Sequence, residues 1–201
     1  ICDNMGAGYY LPSDREWMTL LRNVEQQPSN WNTSVVGSGY IFSSHTDGGP
    51  GNPLNASPDD SDGYYRTGDN ASGDVGAYDK GQKRTHVLST GAIIWDLSGN
   101  VEEFNNDTTD DYALINASSL NDGQYWDNQN ATIRTEFGPS DSSWGQSERT
   151  GIVYVSSGTR AVMRSSAWGF GSQSGLFAFG VWRTPTDVSR YTGFRCAYRE
   201  T

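Results

Sequence analysis

The stretch that decides the fold runs from Met163-Arg164-Ser165-Ser166-Ala167-Trp168 to Gly193-Phe194-Arg195-Cys196-Ala197. Its two ends read as framework: a small-residue turn with Trp168, then a Gly-Phe-Arg-Cys strand. Its middle carries Phe170, Phe177, Phe179, Trp182 and Tyr191 among Gly, Ser, Thr, Arg and Asp. Aromatics mixed with small polar residues combine rigid contact area with adaptable hydrogen bonding, the composition of a binding surface. Ordinary β alternation accounts for part of the pattern. If Leu176-Phe177-Ala178-Phe179-Gly180-Val181-Trp182 is one strand, Phe177, Phe179 and Val181 share one face. That face is expected to be core, along with Phe194 and Cys196. The face of Ala178, Gly180 and Trp182 is expected to be presented to solvent.

Outward from this segment, one helix is clear. Ser13-Asp14-Arg15-Glu16 is a capping box, and Trp17, Leu20, Leu21 and Val24 follow at helical spacing, which predicts a helix over about 13–26. Pro28 stops the run. Gly91-Ala92-Ile93-Ile94-Trp95-Asp96-Leu97 predicts a strand at about 92–97, turned sharply by Ser98-Gly99-Asn100. Ile152–Val155 and Ala161–Met163 read as further strands, and residues 193–198 as a C-terminal strand in a small antiparallel sheet. Residues 43–85 and 105–150 are rich in Gly, Asp, Asn and Ser and read as long loops or insertions. Few helices, short strands and much loop predict an α+β domain whose loops are held by buried Trp and Tyr.

At 201 residues a single domain, 1–201, is expected. The chain starts at Ile1 without an initiator Met, so an N-terminally trimmed piece of something longer is expected. A formal net charge of −10 and the lack of a basic stripe argue against nucleic acid as partner. No apolar run is long enough to insert in a membrane. The two cysteines, Cys2 and Cys196, are too few for a zinc site. They form either one bridge joining the two ends or two buried thiols. His45 and His86, the only histidines, lie apart in sequence and are expected at the surface.

Three blocks, in order, resemble one family. Tyr10–Trp17 (YLPSDREW) is similar to an RLPTEAEW block, and Trp95–Phe104 (WDLSGNVEEF) to YDMSGNVWEW. The third, Met163–Ser166 through Gly193–Ala197, is similar to RGGS…GFRCA. Together they resemble the formylglycine-generating-enzyme branch of the C-type lectin fold. The resemblance implies that subtype of the lectin fold: small twisted antiparallel sheets, few helices and long loops. The oxidase of that family uses a cysteine pair upstream of GFRCA to bind copper. Residues 168–192 contain no cysteine, and a soft thiolate site cannot be built without them. No catalytic residue and no required cofactor are therefore expected.

A second resemblance fits the segment better. Variable proteins of diversity-generating retroelements share this fold and end in the same kind of segment, here about 164–195. In that family adenines of a template are randomised, so Asn codons become other residues at fixed surface positions. The framework Phe, Pro and Gly positions hold in Trp168-Gly169-Phe170-Gly171, in Phe177–Arg183 and in Pro185–Arg195. The Asn positions carry Gly, Phe, Ala, Arg, Asp, Ser and Tyr, all reachable from an Asn codon through its two adenines. Residues 163–196 contain no Asn, although the rest of the chain is full of it. Trp182 cannot arise that way, and Ser165-Ser166 replaces the usual Gly pair. The resemblance implies ligand-binding roles for Ala167, Gly169, Phe170, Ala178, Gly180, Trp182, Arg183, Asp187, Ser189, Arg190 and Tyr191.

The enzyme family also implies a calcium ion at the acidic turn, held by side chains of Asp96 and Glu103 and by carbonyls of Gly99 and Val101. Carboxylate and carbonyl oxygens suit that hard cation. The competing reading is that Asp96 and Asn100 cap the turn and Glu103 pairs with an arginine such as Arg195. Three functions follow. The first is a non-enzymatic display protein that binds a protein or glycan ligand on another cell or host, at a cell surface, secreted or on a virion. The second is a formylglycine-generating-type oxidase or its degenerate relative. The third is a calcium-dependent sugar lectin, for which the chain lacks a Glu-Pro-Asn or Gln-Pro-Asp motif.

Overall fold

The computed structural model describes residues 2–46, 83–113, 115 and 119–200. Most of the expected insertion at 43–85 lies outside the described residues. The first helix, α1 (Asp14–Glu25), begins where the sequence sets its cap. The Ser13 hydroxyl accepts the Glu16 amide at 3.4 Å, and the Glu16 carboxylate accepts the Ser13 amide at 2.9 Å. Its buried stripe is Trp17, Met18, Leu21 and Val24. A second helix, α2 (Ala131–Phe137), lies in a stretch read as loop. Asn130 caps it by accepting the Thr132 amide at 2.9 Å, Ile133 and Phe137 bury its one apolar face, and Gly138 ends it.

Three sheets organise the described strands. β1 (Tyr9–Tyr10) pairs antiparallel with β10 (Ala197–Tyr198), next to a disulfide between Cys2 and Cys196. The Cα atoms of that bridge are 5.5 Å apart and 194 residues apart in sequence. β2 (Thr85–Val87) and β3 (Ile93–Trp95) form an antiparallel pair. The largest sheet holds six strands. In spatial order they are β5 (Gln124–Tyr125), β6 (Ile152–Val155), β8 (Phe179–Val181), β7 (Ala161–Arg164), β4 (Glu102–Thr108) and β9 (Thr192–Phe194). The chain is thus a mixed α+β protein with few helices and small sheets. No helix among the described residues is long and apolar enough to cross a membrane.

The structure corrects several expectations. The six-stranded sheet is mixed, because β6–β8 and β4–β9 run parallel. β8 is inserted between β6 and β7, which run in opposite directions, so it must be parallel to one of them. Residues 176–182 are not one strand: Leu176 and Phe177 form a turn, and β8 starts only at Phe179. The cause is a close backbone crossing, since a Cβ on Gly175 would lie 2.1 Å from the Gly151 amide nitrogen. The C-terminal strand splits into β9 and β10, because Arg195 turns inward to Glu103 and Cys196 is bridged to Cys2. Alternation then leaves Phe194 43% exposed on the edge strand rather than in the core. Residues 105–150 contain structure, namely most of β4, β5 and α2.

Tryptophans hold the loops, as their polar tips require. The Trp31 indole donates to the Glu25 carbonyl and the Trp126 indole to the Phe177 carbonyl, both at 2.8 Å. Both rings are buried, and Trp31 meets Trp144 edge-on at 4.9 Å. The histidines are buried rather than exposed. His86 Nε2 lies 2.8 Å from the Phe42 carbonyl, which can only accept, so that nitrogen carries the proton. Burial, above all, lowers the His86 pKa from 6.5 to about 4.

The largest polar investment of the core is one ion pair. Arg164, on β7, is 0% exposed and Asp14, at the start of α1, 1%. Arg164 Nε donates to Asp14 Oδ1 at 2.5 Å and its Nη2 to Oδ2 at 2.9 Å. Its Nη1 donates to the Phe137 carbonyl at 2.9 Å, and its guanidinium stands 4.6 Å from the Phe179 ring centroid. Asn105 of β4 donates to the same Asp14 carboxylate at 3.2 Å.

Arg164→Met removes one partner and strands a buried carboxylate. A loss of about 3–5 kcal/mol is expected in urea unfolding, and a value under about 1 kcal/mol would show that the pair is dispensable. His86 makes stability pH-dependent. The unfolded chain protonates this ring below about 6.5 while the folded chain does so only near 4, so its contribution is complete above about pH 6.5 and lost on the way down to about 4. The loss is about 3 kcal/mol. Urea midpoints between pH 7 and 4 should therefore fall less steeply for His86→Gln, which keeps a donor without the titration.

Candidate binding site

One end of the six-stranded sheet carries a concave site. Tyr154 comes from β6, on the alternate face from the core residue Val153. Trp168 and Phe170 come from a 3-10 turn, Trp168–Gln173, which is rooted by the Trp168 amide donating to the Asn100 carbonyl at 2.9 Å. Trp182 and Arg183 follow β8, and Arg190 and Tyr191 precede β9. With Gly169 and Gln173 these side chains line a cavity of about 550 Å³, a size typical of small-ligand pockets.

The rings are tied to one another. Trp168 and Tyr191 stack with centroids 4.8 Å apart at 28°. Tyr154 meets Phe170 at 5.3 Å and Trp182 at 6.3 Å. The Tyr154 hydroxyl donates to Gln173 Oε1 at 2.6 Å, and burial, followed by the Glu102 charge, pushes its pKa up. Arg183 lies over Trp182 at 3.9 Å, and Arg190 over Tyr191 at 5.0 Å and Trp168 at 5.8 Å.

Beneath the cavity lies Glu102, the first residue of β4, 3% exposed. Its Oε1 accepts the Trp182 indole N–H at 3.1 Å. Its Oε2 faces Arg183 Nε at 3.5 Å, close enough for an ion pair but without hydrogen-bond alignment, so Oε2 has no hydrogen-bond partner among the described residues. Burial pushes the Glu102 carboxyl up, and the Trp182 and Arg183 contacts pull it back.

Of the residues nominated from sequence, Gly169, Phe170, Trp182, Arg183, Arg190 and Tyr191 come together at this cavity. Ala167, Ala178 and Gly180 do not, because all three are buried. The carbonyl of Ala167 anchors the 3-10 turn by accepting the Phe170 amide. Ala178 borders a small void it shares with Glu102 and Phe170, and a side chain at Gly180 would press on Met163 and Trp182. The presented face expected for residues 178, 180 and 182 is therefore covered, and only Trp182 of the three reaches the cavity. Asp187 and Ser189 shape the rim loop instead. Asp187 accepts the Thr184 amide at 2.9 Å, and the Ser189 carbonyl accepts the Thr192 hydroxyl at 3.1 Å. Tyr154, Trp168 and Gln173 were not nominated. Alternation within Ile152–Val155 was the available signal for Tyr154.

At the acidic turn the two carboxylates are each paired with an arginine, the arrangement of the competing reading for Glu103. Asp96 is held by Arg84, at 3.2 and 2.8 Å, and Glu103 by Arg195 through both oxygens. The Gly99 carbonyl accepts the Val101 amide at 3.0 Å and the Ser165 hydroxyl at 3.3 Å. Gly99 itself has φ +87°, and a Cβ there would lie 2.9 Å from the His45 carbonyl, so the turn needs glycine. Among the described residues no three His, Cys, Asp or Glu side chains converge. Ser165 takes φ +68°, the conformation that the Gly pair it replaces would favour.

No family model matches the chain, and no curated protein matches it in sequence.

Replacing Trp182 and Arg183 together by Ala leaves Glu102 buried without its two partners. A loss of about 1–3 kcal/mol is expected at neutral pH. Adding Glu102→Gln should recover part of it. Equal stability of the double variant and the parent would show that Glu102 does not depend on these two side chains.

Proposed function

We propose that this chain is a non-enzymatic ligand-binding display protein on a C-type lectin scaffold of the formylglycine-generating-enzyme type. Its segment 164–195 is diversified by a retroelement to bind varied protein or glycan targets. The observation that carries this reading is the gathering of Gly169, Phe170, Trp182, Arg183, Arg190 and Tyr191 around one cavity. The resemblance to variable proteins points to these residues, which come from three separate stretches of the segment, at 169–170, 182–183 and 190–191.

Two further observations support it. The three blocks that carry the resemblance interlock: Asp14 of the first with Arg164 of the third, and Glu103 of the second with Arg195 of the third. Arg195 also lies 5.1 Å over Trp17 of the first. Both cysteines are joined in the disulfide, which leaves no thiolate for copper-dependent oxidation. The same bridge fits an oxidising compartment, in line with a secreted or surface location.

The decisive test is the DNA flanking the gene. A near-identical repeat with Asn codons at the variable positions, beside a reverse transcriptase gene, is expected. A flank lacking both would end the diversification reading. At the protein level, replacing Phe170, Arg190 and Tyr191 by Ser should shift stability by only about 0.5 kcal/mol per site. Phe179→Ala, in the core, should cost about 3–5 kcal/mol. Thermal melts showing the reverse order would mean that the variable side chains serve the fold.

A further inference from the structure

The cavity has an electrostatic character that the chain as a whole lacks. The protein carries a formal net charge of −10, yet among the described residues no Asp or Glu lines the cavity, and two arginines do. They are not equivalent. Arg183 faces the buried Glu102 at 3.5 Å and is 14% exposed, so its charge is largely answered. Arg190 is exposed and has no carboxylate partner among the described residues. Its Nη2 donates to the Tyr191 hydroxyl at 3.0 Å, and its plane lies against Tyr191 and Trp168. Stacking of this kind orients the guanidinium and leaves its remaining N–H groups free to donate. Glu102 thus acts as a positioning residue: it fixes Trp182 and absorbs Arg183, which leaves Arg190 as the open cation.

Resting on the binding-surface reading above, we propose that the cavity takes an acidic saccharide, a pyranose bearing a carboxylate. Arg190 receives the carboxylate in a charge-assisted pair. The tilted rings of Tyr154, Phe170 and Trp182 offer walls to the apolar C–H face of the sugar. Gln173 supplies hydroxyl recognition, because its Oε1 is occupied by Tyr154 while its Nε2 donor is open. The concave shape, with ring walls and one cation at the rim, favours the end of a sugar chain over a flat protein epitope.

The test titrates the protein with an oligoglucuronate, the matching neutral oligoglucose and a short acidic peptide, following the tryptophan indole N–H signals by NMR. The oligoglucuronate is expected to bind at least about tenfold more tightly than the oligoglucose, and more weakly at high salt. Arg190→Ala should remove that preference with an unchanged melting curve, and Arg190→Lys should restore it only in part. Equal binding of the two sugars, binding of neither, or an unaffected Arg190→Ala would each overturn the assignment. Tighter binding of the peptide or the neutral sugar than of the oligoglucuronate, lost in Trp182→Ala, would also overturn it, while leaving the binding-surface reading in place. The flanking-repeat result bears on diversification alone and can fail without touching this outcome.

Discussion

The Arg164–Asp14 pair is the constraint on which the rest depends. A guanidinium and a carboxylate are both withdrawn from water, which costs several kcal/mol per ion unless every lone pair and N–H finds a partner. Here each guanidinium nitrogen donates and both carboxylate oxygens accept, and the partners come from separate elements. Asp14 belongs to α1, Arg164 to β7, the Phe137 carbonyl to the end of α2, and Asn105 to β4. Satisfying this one pair therefore sets the position of both helices on the sheet. Phe179, beneath the guanidinium, then places β8 in the same stack.

That placement leads to the cavity. β8 leaves the core at Val181 and delivers Trp182 and Arg183 over Glu102. β6 delivers Tyr154, and the turn after β7 delivers Trp168 and Phe170. Glu102 works in the opposite sense from Asp14. Both Asp14 oxygens accept hydrogen bonds, whereas Glu102 keeps one oxygen without a hydrogen bond among the described residues and depends on Trp182 and Arg183. Positions 182 and 183 are thus both tied to a buried charge. Positions 169, 170, 190 and 191 meet no such buried charge among the described residues.

Local signals were readable where short-range chemistry decides the outcome. Ser13 and Glu16 start α1, Gly99 shapes the turn after β3, and alternation buries Phe179 and Val181. Sheet order was not readable, because the insertion of β8 between β6 and β7 depends on contacts far apart in sequence. Helix α2 had its signals in Asn130, Ile133, Phe137 and Gly138-Pro139, but seven residues give only one repeat of the apolar spacing. Among the site residues, the resemblance points to six within 164–195 but not to Trp168 or Gln173 of the same segment, nor to Tyr154 or Glu102 outside it. It also points to Ala178 and Gly180, where codon reasoning is silent about the side chains that cover them, Met163 and Trp182 at Gly180 among them.

The disulfide has a topological consequence. It joins Cys2 to Cys196, so the backbone between them is a closed ring. A single protease cut anywhere inside that ring opens it without separating the pieces. The two fragments stay covalently joined, and the strands around the cavity keep one another as neighbours. The chain can in this way be nicked between Cys2 and Cys196 and remain one molecule.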